Sequence, residues 1–159
     1  MLKFCINAWD KNKDKLKSVI RTDTKLKFCD YSYLVKLIVK YILNPSIEDD
    51  QDKFNADEIT VIDNGDYQGT LLFMIPRDTY QPTEYDYLLT YVGYGSCSGC
   101  DTLLSILDLI DELPTENQTK DLMTLCRHLV CNIVKPYNCG WKQDEDFVEI
   151  TIKEYLRGE

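Results

Sequence analysis

Residues 59 to 94 hold three β-type runs in succession, with no helical pattern between them. "ITVID" at 59–63 is short and apolar. "TLLFMIP" at 70–76 is a continuous apolar run that ends on Pro76. "YDYLLTYVGY" at 85–94 places Tyr85, Tyr87 and Tyr91 in alternation with other residues. Between the first two lies "NGDYQG", whose two glycines mark a turn. "RDTYQPTEYD" at 77–86 is a longer connection carrying Pro82. Consecutive strands joined by turn chemistry alone predict an antiparallel meander. A fourth strand is expected at 147–156, "FVEITIKEYL", with Val148, Ile150 and Ile152 inward.

Helical patterns flank the meander. Residues 10–20 read as a short helix with Leu16, Val19 and Ile20 on one face. Asp30 can cap a second, in which Leu34, Val35, Ile38, Val39, Tyr41 and Ile42 recur at helical spacing. Asn44-Pro45 ends it, because a residue before proline leaves the helical region. "DTLLSILDLIDEL" at 101–113 predicts a third helix on Leu103, Leu104, Leu107 and Ile110 or Leu113. "TENQ" at 115–118 is a capping box, with Thr115 and Gln118 serving each other's backbone amides. The helix it opens carries Leu122, Leu125, Cys126, Leu129, Val130, Ile133 and Val134. The acidic, aperiodic stretch 46–58 reads as a loop. The expected fold class is α+β: an antiparallel sheet of about four strands with helices packed on one face. At 159 residues the chain suits one domain, with a basic helical part at 1–45 and the sheet and remaining helices at 59–159.

Charge is distributed unevenly. Residues 1–40 carry ten Lys/Arg against four acids, a balance of +6. The other 119 residues carry eight Lys/Arg against 23 acids, a balance of −15, so the chain totals −9. One reading is internal complementarity, the basic segment lying on the acidic body. The other is a positive N-terminal arm, within residues 1–28, that meets nucleic acid. No stretch reaches the roughly 18 apolar residues of a membrane span. The start lacks a leader-like apolar region, so a cytoplasmic location with reduced thiols is expected. Seven cysteines is then a high number. Cys5, Cys29 and Cys139 stand alone and read as small buried hydrophobes.

The strongest local oddity is "VGYGSCSGCDTLLSIL" at 92–107, where Cys97 and Cys100 have C-x₂-C spacing between a strand and a helix. Thiol redox chemistry is one reading, since a helix start lowers a thiol pKa. The adjacent Asp101 carboxylate argues against thiolate formation. Structural zinc is a second reading, with Cys97 and Cys100 joined by His128 and Cys131, which share a helix face. An anion cradle is a third, although no Walker lysine or correctly spaced GxGxxG is present. The simplest reading is a tight corner: glycines supply positive φ and small cysteines pack beneath it.

Hydrolytic chemistry has little to stand on with a single histidine. Asp66-Tyr-Gln-Gly69 and Arg77-Asp78-Thr-Tyr80 could line one site beside the hairpin, with Arg77 first a salt-bridge anchor. Eleven tyrosines is a large number, and six fall between 67 and 94. Tyrosine suits protein interfaces, and an acidic body suits a basic partner. The candidate partner-binding residues are Asp49, Asp50, Asp66, Tyr67, Tyr80, Asp144 and Asp146.

Taken together, "DNGDYQGTLLFMIPRDTYQP", "YGSCSGCDTL" and "LPTENQTKDLMTLCRHLVCNI" resemble a family of small bacterial and phage proteins without an established activity. The resemblance spans about residues 55–135 and transfers no catalytic residue. It implies an accessory-gene context, and with it a counter-defence role as a class. The expected function is therefore a non-enzymatic, cofactor-free interaction protein. It would bind and inhibit a host protein with a basic surface, such as a nucleic-acid-guided nuclease. The alternatives are a zinc or redox cysteine module and nucleic-acid binding through the N-terminal helix.

Overall fold

The structure, a computed structural model, describes residues 1–135. The expected strand at 147–156, and with it Cys139, Asp144 and Asp146, lies outside the described residues.

Helix α1 runs Leu2–Thr22, beginning well before the expected residue 10. Its inward stripe is Cys5, Ala8, Trp9, Leu16 and Ile20. Asn12 continues that stripe as a polar member. Its amide donates to the Ile42 carbonyl at 3.1 Å and to Ser46 Oγ at 2.8 Å. Those acceptors end the second helix. Helix α2, Tyr31–Ile38, is capped by Asp30, which accepts from the Tyr33 amide. It widens into a π-helical turn at Val39–Leu43 and stops in a tight turn at Asn44–Ser46 around Pro45. A wide turn weakens the regular carbonyl pairing, and the Asn12 amide satisfies the Ile42 oxygen. From Tyr31 to Leu43 nearly every apolar side chain is buried, as expected of a helix that is apolar all round.

The sheet has three strands among the described residues: β1 Thr60–Asp63, β2 Gly69–Pro76 and β3 Tyr87–Tyr94. They pair antiparallel in the order β1-β2-β3, the expected meander. Register gives the sheet two different faces. Phe73, Ile75 and Leu88 join the helical core. On that face the Thr90 hydroxyl donates to the Leu129 carbonyl of the last helix at 2.6 Å. Met74, Tyr87 and Leu89 form a separate cluster on the opposite face, with Ile62, Leu72 and Val134 against it. Val134 also forms an antiparallel bridge with Leu89.

Helix α3, Thr102–Leu107, is half the expected length. It buries Leu103, Ile106 and Leu107, and Ile110 follows them in. Leu104 and Leu113, expected inward, are exposed. The chain leaves the helical path after Leu107, so Leu113 is no longer on that face. Helix α4, Glu116–Cys131, carries the expected capping box at Thr115 and Gln118. Its stripe of Leu122, Leu125, Cys126, Leu129 and Val130 is buried as the spacing predicts.

The loop 46–58 is tied to the sheet. The Asn44 amide donates to Phe54 O and its Oδ1 accepts from Phe54 N, both at 2.9 Å. Asn55 N donates to Pro76 O, and Asp78 N donates to Lys53 O. The basic segment lies on acidic and carbonyl groups of the body. Lys17 and Arg21 pair with Glu116, Lys36 pairs with Asp57, and Lys27 donates to the Asp111 carbonyl. No helix among the described residues is long and apolar enough to cross a membrane.

Candidate functional site

Strand β2 sorts the candidate residues into two groups. Its eight residues span about 24 Å at a rise of ~3.4 Å each. At the Gly69 end lie the 64–68 turn and, through the Gly69–Tyr94 pairing, the CSGC corner. At the Pro76 end lie the 77–86 connection and the 49–54 segment bridged to it by Phe54 and Arg77. The Asp66-to-Gly69 and Arg77-to-Tyr80 strings therefore do not line one site, because they stand at opposite ends of the same strand.

The Pro76 end is acidic. A cleft of about 370 Å³ is lined by Asp49, Gln51, Asp52, Arg77, Asp78, Thr79 and Asp86. Four carboxylates there face one guanidinium. Arg77 Nη1 meets Asp52 Oδ1 at 3.0 Å. Its Nε is buried and lies 3.6 Å from Asp86 Oδ1, beyond hydrogen-bond reach. Arg77 is thus the anchor that the sequence suggests, fixing the cleft floor. Asp86 is held from its other side by the Thr83 amide and hydroxyl, both at 2.9 Å. Those bonds, with Arg77 beside them, keep its carboxyl below the usual range. Asp50 is held low by Lys53. On the same 77–86 connection, Tyr80 is 94% exposed and Tyr85 63%. Of the predicted residues Asp49 lines the cleft, while Asp50 and Tyr80 lie on the two segments that border it. Asp78, named with Arg77 and Tyr80 as a possible site string, lines the cleft, and so does Asp52, which sequence reasoning did not single out although it sits in the same acidic run as Asp49.

The Gly69 end holds Asp66 and Tyr67, both exposed on the turn. It also holds the CSGC corner, whose centre is Asp101. Asp101 caps α3, accepting from Leu104 N at 3.0 Å through Oδ1. The same oxygen accepts from the Tyr31 hydroxyl at 3.1 Å, and Oδ2 accepts from Gly95 N at 3.0 Å. Tyr31 OH in turn accepts from Leu103 N at 3.2 Å. Asp101 is 5% exposed and forms no ion pair among the described residues, so these donors stand in for water. Burial pushes the Tyr31 hydroxyl up to about 12.

The cysteines are not packed beneath the corner. Cys97 and Cys100 are both exposed, with their sulfurs 3.0 Å apart. Cys100 Sγ accepts from Cys97 N at 3.2 Å and faces Cys97 O at 3.3 Å. The neighbouring Cys97 thiol and amide hold the Cys100 thiol below its usual range. This reverses the expectation that Asp101 would oppose a thiolate, because its oxygens point to Tyr31, Gly95 and Leu104. Nor do the glycines serve by positive φ. A Cβ on Gly95 would stand 2.5 Å from Cys100 Sγ and 2.6 Å from its carbonyl oxygen. Glycine is required there for close approach.

His128 and Cys131 are exposed in the last turn of α4. Among the described residues no three His, Cys, Asp or Glu side chains converge to hold a metal ion. The set Cys97, Cys100, His128 and Cys131 is not gathered. Of the lone cysteines, Cys5 is fully buried as expected, and burial raises its thiol to about 11. Cys29 is only partly buried.

These features define a small α+β protein with an acidic, tyrosine-bearing end and an exposed dithiol corner. No protein-family model, curated protein or solved structure matches the chain.

Proposed function

We propose that the chain is a non-enzymatic interaction protein whose acidic sheet end engages a partner with a basic surface. One observation carries this reading: Asp49, Asp52, Asp78 and Asp86 line one cleft, and the 77–86 connection that supplies two of them also carries exposed Tyr80 and Tyr85. Carboxylates there can take Lys or Arg side chains in charge-assisted hydrogen bonds. The exposed tyrosine faces of the neighbouring connection can stack on cations of the same basic patch. Acidic charge also steers encounter with a basic patch. Basic patches of this kind occur on proteins that hold nucleic acid. A host nucleic-acid-binding protein, including a guided nuclease, is therefore the partner class, and its occlusion the expected consequence.

The test is capture of partners from bacterial lysate on the immobilised chain, followed by titration of the purified partner at low and high salt. Asp49→Lys/Asp50→Lys/Tyr80→Ala should weaken binding about tenfold or more, the scale of an interface hot spot. Asp66→Lys/Tyr67→Ala, at the far end of β2, should leave affinity unchanged. Equal affinity for the wild-type and Asp49/Asp50/Tyr80 proteins, or no salt dependence, would refute the reading.

A further inference from the structure

We propose that Cys97 and Cys100 are a reversible dithiol–disulfide site, oxidised by low-molecular-weight disulfides, at the corner where β3 turns into α3. The corner is already shaped for ring closure. Cys100 N and Asp101 N both donate to Cys97 O at 3.0 Å, folding the four-residue loop back on itself. The two sulfurs are in contact at 3.0 Å, and both residues are exposed, so a small disulfide can reach them. Beneath the loop, Asp101 is fixed by Gly95, Leu104 and Tyr31, so the frame stays set while the sulfurs react. A zinc site would need about four ligands, and no third ligand stands with this pair among the described residues.

The roles of the two thiols differ. Cys100 Sγ accepts a hydrogen bond from Cys97 N, which stabilises its thiolate. Cys100 therefore attacks first. Its thiolate displaces one thiolate from the small disulfide and forms a mixed disulfide. Cys97 then gives its proton to solvent and attacks the Cys100 sulfur. The Cys97–Cys100 bond forms, the mixed disulfide breaks, and the second small thiolate leaves and is protonated. Two protein thiols are oxidised and one small disulfide is reduced to two thiols. This site is independent of the acidic cleft at the far end of β2.

The experiment uses the full reduced chain and oxidised glutathione as the probe. After acid quenching and thiol blocking, intact and peptide mass spectra are recorded. The wild-type protein should lose two hydrogens, located to a Cys97–Cys100 cross-link, and dithiothreitol should restore it. Cys97→Ser should accumulate a single glutathione adduct on Cys100. Cys100→Ser should react at Cys97 about tenfold more slowly or worse, reflecting the lost thiolate. Circular dichroism of both variants should match the wild type, since each keeps the Asp101 frame. Persistent glutathione on either cysteine of the wild-type protein would overturn the proposal. So would two thiols that survive a large excess of the probe, or a cross-link that pairs other cysteines.

Discussion

Asp101 should be worth more to stability than any other single polar side chain among the described residues. Asp101→Ala leaves three donors: Leu104 N, Gly95 N and the Tyr31 hydroxyl. Leu104 is partly exposed, so its amide finds water and the loss there is that of a helix cap, ~1 kcal/mol. Gly95 and Tyr31 are buried, and each loses a bond to a charged acceptor, ~2 kcal/mol apiece. Release of a buried, unpaired carboxylate returns part of this gross loss. A net destabilisation of about 3 kcal/mol remains. Urea unfolding followed by circular dichroism would show it. With a slope of ~1.5–2 kcal/mol per M, the midpoint should fall by ~1.5–2 M. Asp101→Asn should fall between, because its oxygen can keep Tyr31 and Leu104 while its NH₂ confronts the Gly95 N–H. Tyr31→Phe should cost ~1–2 kcal/mol, since Leu103 N also loses its acceptor. The double variant Asp101→Ala/Tyr31→Phe should be less than additive by about 1 kcal/mol, because the two share one bond. A loss below ~1 kcal/mol for Asp101→Ala, or strict additivity, would refute the hub.

Two further outcomes follow from buried groups. The Thr119 hydroxyl is wholly buried in α4 with no hydrogen-bond partner among the described residues. Thr119→Val keeps the shape and removes an unsatisfied polar group, so it should stabilise the fold by ~1 kcal/mol. A lower urea midpoint for Thr119→Val would show that the hydroxyl is bonded. The second outcome concerns alkaline pH. Burial raises Cys5 to about 11 and Cys29 and Cys126 to about 12, from 9.0, and Tyr31 to about 12, from 10.0. The neutral forms are thus favoured by folding. Their contribution is complete below about pH 9 and is lost as pH rises through about 11–12. Urea midpoints taken across that range should fall steeply, and Cys126→Ala should flatten part of the slope. A level profile would show that these thiols ionise as freely in the fold as outside it.

The meander and the last helix were legible because their signals are local. Alternation and paired glycines mark the strands, and Thr115 with Gln118 marks a helix start within four residues. The front of α1 was not legible for the opposite reason. Its inward residues, Cys5, Ala8 and Trp9, form no aliphatic stripe, and Asn12 looks like a surface residue. Its acceptors, the Ile42 carbonyl 30 residues away and Ser46 Oγ 34 residues away, explain why an amide belongs there. The same holds for the shortened α3. Leu104 and Leu113 fit a helical stripe on spacing, yet the chain turns after Leu107 to bring Ile110 inward and start the capping box.

The candidate site divides along the same line. Register is a property of the sheet, and β2 sets Tyr67 and Tyr80 at opposite ends although thirteen positions of sequence suggest one loop cluster. The thiol corner shows how far adjacency can mislead. Asp101 follows Cys100 directly, and charge counting along the chain places a carboxylate where it would keep the thiol neutral. What decides the matter is where the carboxylate's lone pairs go. Tyr31, from α2, takes one oxygen together with the α3 amide, and Gly95 takes the other. Once those donors hold Asp101 inward, the nearest polar groups to Cys100 Sγ are the Cys97 amide and thiol, which favour its ionised form. The carboxylate beside residue 100 is thus held in part by a tyrosine some seventy positions upstream. Loss of that tyrosine hydroxyl should free the carboxylate to turn toward the sulfur and slow the first attack on a small disulfide.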